Sequence, residues 1–160
     1  MVPLLTELKK VPVLADLTFD QITVNDYFAG DGIPPHFDTH SPFEEVFVAV
    51  SMLSGLVMDF RRYNGIEKQV YLKERSMMIF SAEARYAWTH GISCRKMDNI
   101  NGKLQHRSRR ISITLRKIKR TPCTCPYYFY CDSQGYDQYA MKKNNPLLKK
   151  YLAEEKTKKL

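Results

Sequence analysis

The segment Gly32 to His40, GIPPHFDTH, sets His36, Asp38 and His40 two residues apart behind a proline pair. Side chains two apart in extended backbone point to the same face, and prolines favour an extended approach to the motif. Two imidazoles and a carboxylate on that spacing converge on one metal or serve two neighbouring sites. A polar loop is the plain alternative, because a lone histidine is more often a hydrogen-bonded structural residue than a ligand. The rest of the chain has to supply the missing partners.

Two histidines and one carboxylate that leave coordination positions open form the facial triad of non-haem iron(II) oxygenases. His36 and Asp38 offer two ligands from one segment, and His90, at the end of the strand-like stretch RYAWTH, is the best third candidate. His106 sits in a polar loop and is a poorer one. Oxygen activation at such a centre also needs electrons, commonly drawn from 2-oxoglutarate, a dicarboxylate that requires cationic anchors. In RISITLRKI, Arg110, Ser112, Thr114 and Arg116 share one face and Ile111, Ile113 and Leu115 the other. At ~3.3 Å per residue the two arginines lie roughly 20 Å apart, so they reach one small ligand only by leaning inward. The guanidinium fork suits carboxylate capture.

The cysteines are a second cluster. Cys123, Cys125 and Cys131 make C-x-C-x(5)-C, one ligand short of tetrahedral zinc. Cys94 is a candidate for the fourth place, and inert buried thiols are the alternative.

These residues need a scaffold. A chain of 160 residues with 44% apolar and 12% aromatic residues fits one folded domain with a real core. No apolar run approaches the ~20 residues of a membrane span, and MVPLLTELKKVPVLADL lacks the features of a signal peptide. A reducing compartment, cytoplasmic or nuclear, is expected, where clustered cysteines point to metal or redox chemistry. The net charge of +8 suits a nucleic-acid partner, although part of it resides in the lysine-rich end of the chain. Short strands are expected at QITVNDYF, VFVAVSML, LVMDF, KQVYLK, SMMIFS and RISITLRKI, with almost no helix before Lys142. The loop from Lys96 to Arg109 reads as basic and polar. Strands with turns between them predict a mainly β barrel or sandwich. Met52, Met58, Met77 and Met78 read as core filler, and Trp88 as an aromatic packing beside the site.

The set VNDY, GIPPHFDTHSPFE, LVMDF, RYAWTHGISCRK, RRISITLRK and TPCTC…CDSQ, spread from about residue 20 to 134, resembles the AlkB-like Fe(II)/2-oxoglutarate dioxygenases, in particular their tRNA-modifying branch. That resemblance implies a double-stranded β-helix (jelly-roll) core over residues 1–131, partial at its N-terminus; the lysine-rich stretch within 132–160 itself reads as a basic, partly helical tail. It implies His36, Asp38 and His90 as Fe(II) ligands. Arg110 and Arg116 would hold the two ends of 2-oxoglutarate, with Asn25 and Tyr27 hydrogen-bonding the same cosubstrate. His40 would join Cys123, Cys125 and Cys131 on Zn(II), so the opening motif serves two metals. The implied substrate is the side arm of a wobble uridine, 5-methoxycarbonylmethyluridine, in tRNA. N-methyl demethylation of nucleic acid and a non-catalytic RNA-binding role share the same residues. A methyltransferase, on a domain or subunit outside this chain, is the implied companion.

Overall fold

The computed structural model describes residues 2–134, 149–150, 153–154 and 157. Alternation along the strands decides what each sheet buries. One antiparallel sheet runs in the order β1 (Gln21–Tyr27), β10 (Arg110–Arg116), β3 (Phe47–Met52), β6 (Ser76–Phe80). The other runs β2 (Ile33–His36), β7 (Trp88–Ile92), β4 (Leu56–Arg62), β5 (Glu67–Leu72). Between them lie Phe47, Ala49, Leu56, Met58, Phe60, Leu72, Phe80 and Ile92, with Phe47 and Phe80 stacked at 4.3 Å between ring centroids. This is the expected jelly-roll sandwich.

The outer face of the first sheet is also covered. Helix α1 (Val2–Leu8) and the turn after it lay Leu8 and Leu14 on Val48, Val50 and Leu115. This helix is the longest exception to the expectation of almost no helix before Lys142. Only seven residues long, it is too short to be stable on propensity alone and forms because its leucines cover the sheet. Its presence reverses the usual reading of β10. The apolar side, with Ile113 and Leu115, faces outward under α1. The polar side, with Arg110, Ser112 and Thr114 buried, faces the interior.

Two further local expectations are corrected. Residues Ala82–Tyr86 form a single helical turn, α2, so strand β7 starts only at Trp88. The loop from Lys96 to Arg109 folds as a hairpin, β8 (Met97–Ile100) and β9 (Lys103–His106), turned at Asn101 and Gly102 with φ of 53° and 83°. Asn-Gly is the preferred pair for such a turn, because both central residues need positive φ. Buried Asp98 fastens the hairpin to the body, accepting hydrogen bonds from Arg107 at 2.7 and 2.8 Å, Arg95 at 2.7 Å and the Val57 amide at 3.0 Å. Met52, expected in the core, is instead exposed. The basic tail lies largely outside the described residues; within it Lys149, Lys150, Ala153, Glu154 and Thr157 are helical.

Candidate active site and metal centres

The register of β2 against β7 builds the first centre. His36 and His90 are direct cross-strand partners, and their rings stand 4.5 Å apart between centroids. Strand β2 is an edge, where Pro34 and Pro35 lose no ladder hydrogen bond to a neighbour, and its register shifts between Ile33 and His36. That shift brings its backbone close to β7. A Cβ on Gly91 would sit 2.8 Å from the Pro35 nitrogen, which explains the glycine following His90. Asp38 comes in from the loop beyond β2, with its Oδ2 3.5 Å from His90 Nε2. One ligand atom from each of His36, Asp38 and His90 fits within a 4.8 Å span. His36 Nδ1 lies 2.9 Å from the Pro34 carbonyl, which fixes it as the donor and leaves Nε2 for a metal.

The arginines of β10 do lean inward. Asn25, Tyr27, Arg110, Ser112, Thr114 and Arg116 line one cleft with His36, Asp38 and His90. Arg116 donates through Nε to Asp38 Oδ1 at 2.5 Å and through Nη1 to Gln21 and Thr23, each at 3.1 Å. At the other end, Arg110 rests on Ser51, with Nη2 to Oγ at 2.8 Å, and lies over the Tyr27 ring at 5.6 Å. A linear dicarboxylate between two such cations, one of them touching the Asp38 carboxylate, matches the donor set.

The second cluster also assembles. His40, Cys125 and Cys131 offer ligand atoms within 4.8 Å of one another. Cys123 is buried in the same packed cluster as Cys125 and Cys131, though it falls outside that ligand-distance set. His40 Nδ1 lies 3.5 Å from Cys125 Sγ, and its Nε2 is buried without a hydrogen-bond partner among the described residues. Asp132 ties the cysteine segment to the loop after His40, accepting from the amides of His40 at 3.1 Å and Ser41 at 3.0 Å. Cys94 is exposed at the far end of β7, outside the cluster, and His106 is exposed on the hairpin.

The model for the 2OG-Fe(II) oxygenase superfamily matches residues 1–116. The chain belongs to that superfamily. It is 44% identical over 139 residues to the "Alkylated DNA repair protein ALKBH8 homolog" of Arabidopsis thaliana, covering 75% of this chain and 40% of the relative. It is 43% identical over 131 residues to the "tRNA (carboxymethyluridine(34)-5-O)-methyltransferase ALKBH8" of Macaca fascicularis, covering 72% of this chain and 20% of that one. The chain thus spans less than half the length of either relative. The solved structure of OsALKBH1 superposes with a TM-score of 0.50 at 20% identity, covering 72% of this chain and 59% of that one, and supports the fold.

The electrostatics of the two clusters suit the iron and 2-oxoglutarate chemistry for which the superfamily is named. Burial, and then the neighbouring His36, push His90 down to about 4. Burial and the Arg85 charge push His40 down to about 4. Both imidazoles are therefore neutral near pH 7, the form that binds metals. Without a metal, burial pushes the Cys125 thiol up to about 12. Cys131 goes the other way, because hydrogen bonds with Ser133 and Gln134 outweigh its burial.

Several contributors escape a sequence reading. Phe80, Phe60 and Phe47 surround His90 at 5.0, 6.1 and 6.4 Å between ring centroids and keep water from it. Ser51 seats Arg110, and Arg85, fully buried, reaches the loop of Asp38. Both faces of β3 are buried, and only side-chain alternation, which puts Ser51 on the face of Phe47 and Ala49, signals that Ser51 points inward. For Arg85 no local signal exists, since a buried arginine and a surface one look alike in sequence.

Proposed function

We propose that this dioxygenase hydroxylates the side arm of 5-methoxycarbonylmethyluridine at the wobble position of tRNA. His36, Asp38 and His90 hold the iron, Arg110 and Arg116 hold 2-oxoglutarate with Asn25 and Tyr27, and His40, Cys123, Cys125 and Cys131 hold a structural zinc. The observation carrying the reading is the cross-strand pairing of His36 with His90, beside an Asp38 that Arg116 engages.

Bound in this set, Fe(II) supplies oxidative decarboxylation of 2-oxoglutarate by O2 and transfer of one oxygen atom to a C–H bond. The chain's residues bind and orient. Arg110 and Arg116, at opposite ends of β10, fix the cosubstrate's length and direction. Arg116 also holds the Asp38 carboxylate in place. Phe47, Phe60 and Phe80 keep the site dry, which strengthens each charged contact within it.

His36 also borders a cavity of about 500 Å³, walled by Phe37, Tyr63 and Tyr130 with Arg61 and Thr89. Its size and its mix of aromatic and polar walls fit a nucleoside. The macaque relative's name supports the choice of base. Methylating the carboxyl oxygen of carboxymethyluridine yields its methyl ester, 5-methoxycarbonylmethyluridine. A hydroxylase acting on that ester would follow such a methyltransferase directly.

For tRNA contact the hairpin region offers less than its composition suggests. Arg107 is engaged by Asp98, Arg109 by Asp26, and Arg110 belongs to the cleft. The lysine-rich tail is the other proposed contact. The test incubates the chain with Fe(II), 2-oxoglutarate and tRNA carrying the methyl-ester uridine, then analyses the nucleosides by mass spectrometry. Gain of one oxygen on the uridine arm supports the proposal. Turnover only with N-methylated nucleic acid, releasing formaldehyde, would replace it.

A further inference from the structure

Arg85 has no role in the reading above, yet it is 1% exposed and lies between the two clusters. From the helical turn α2 it donates through Nη1 to the Asp38 carbonyl at 2.5 Å and through Nη2 to the Thr39 carbonyl at 2.8 Å. Those two peptides are the link between Asp38, assigned to iron, and His40, assigned to zinc. Its guanidinium also lies over the rings of Phe47 at 5.5 Å and Tyr86 at 5.0 Å, and the Tyr86 ring meets His40 at 4.9 Å.

A buried cation is costly unless anions compensate it. The hydrogen bonds of Arg85 go to neutral carbonyls, and its Nε is buried without a partner among the described residues. The favourable charges within reach are the Asp38 carboxylate and, when ionised, the Tyr86 hydroxyl and the Cys123 thiol, while the Arg116 guanidinium opposes them. Three thiolates and a neutral imidazole on Zn(II) carry two positive against three negative charges, one net negative. One guanidinium balances it.

We propose that Arg85 is the positioning residue that couples the two metal sites. Its fork fixes the Asp38–Thr39 peptides, and its charge neutralises the zinc tris-thiolate next to them. The proposal rests on the two-metal reading and extends it: loss of zinc disturbs iron through this arginine, and the fork and the charge are separable tasks. Lysine keeps the charge but cannot bridge two carbonyls, whereas glutamine removes the charge.

The test uses the full chain, purified under reducing conditions, as wild type, Arg85→Lys and Arg85→Gln. Zinc per chain is measured after dialysis against a chelator. Affinity for Fe(II) is measured by anaerobic titration without turnover. The expectation is that Arg85→Lys retains zinc but binds Fe(II) about tenfold or more weakly, the worth of a charge-assisted hydrogen bond. Arg85→Gln should lose zinc to the chelator as well. Wild-type iron affinity in Arg85→Lys, or parallel loss of both metals in that variant, overturns the proposal. So does wild-type zinc retention in Arg85→Gln; should that variant not fold, the lysine variant decides alone. A wild-type chain that carries no zinc overturns the two-metal reading itself, before any variant is compared.

Discussion

Replacing Arg110 by lysine tests the cosubstrate cleft most directly. Arg110 is 1% exposed, and one edge of its fork is occupied: Nε and Nη2 donate to Ser51 Oγ at 3.2 and 2.8 Å. Nη2 also reaches Ser112 Oγ at 3.4 Å. That leaves Nη1 for a ligand carboxylate. Arg110→Lys keeps one positive charge but cannot sit on Ser51 and reach forward together. Losing a charge-assisted hydrogen bond costs about 1.5–3 kcal/mol. At 1.4 kcal/mol per decade, this weakens 2-oxoglutarate binding about ten- to a hundredfold. Leaving Ser51 without its donors should also cost about 1 kcal/mol of stability. The assay is anaerobic calorimetric titration of 2-oxoglutarate into Mn(II)-loaded chain, where nothing turns over. An affinity within about threefold of wild type would place the anchor elsewhere and refute the reading of β10.

His36→Ala and Asp38→Ala should each abolish 2-oxoglutarate decarboxylation while far-UV circular dichroism stays unchanged; full turnover in either variant would remove that residue from the iron set. Cys125→Ser should release zinc and lower the melting temperature, and Cys94→Ser should do neither, as metal analysis and thermal melts will tell. Asp98→Asn should destabilise the chain by about 3–5 kcal/mol in urea titration, because it leaves buried Arg107 without its carboxylate; a loss under about 1 kcal/mol would mean solvent screens the pair. Acid should destabilise the metal-free chain. His40 and His90 stay neutral to about 4 when folded but protonate near 6.5 when unfolded. The unfolded state therefore binds more protons between those values, and stability falls as pH drops from 6.5 towards 4, by up to about 3 kcal/mol per imidazole. Equal urea midpoints at pH 7 and pH 5 would contradict the burial of both rings.

The amino-acid sequence by itself determined the kinds of ligand and most of the strands. Ligand type is a property of single residues, and strand periodicity is local, so HFDTH, WTHG and RISITLR carry their chemistry in short stretches. The Asn101-Gly102 turn was legible too, but the charges around it masked the hairpin. Tertiary structure alone decided how those pieces meet. The pairing of His36 with His90 is a register between strands far apart in the chain. The inward turn of the polar face of β10 depends on α1 covering the other face. Alternation divides a strand into two faces but does not say which one a second layer will cover. The role of Arg85 was equally invisible, because burial is a property of everything packed around a side chain rather than of the side chain itself.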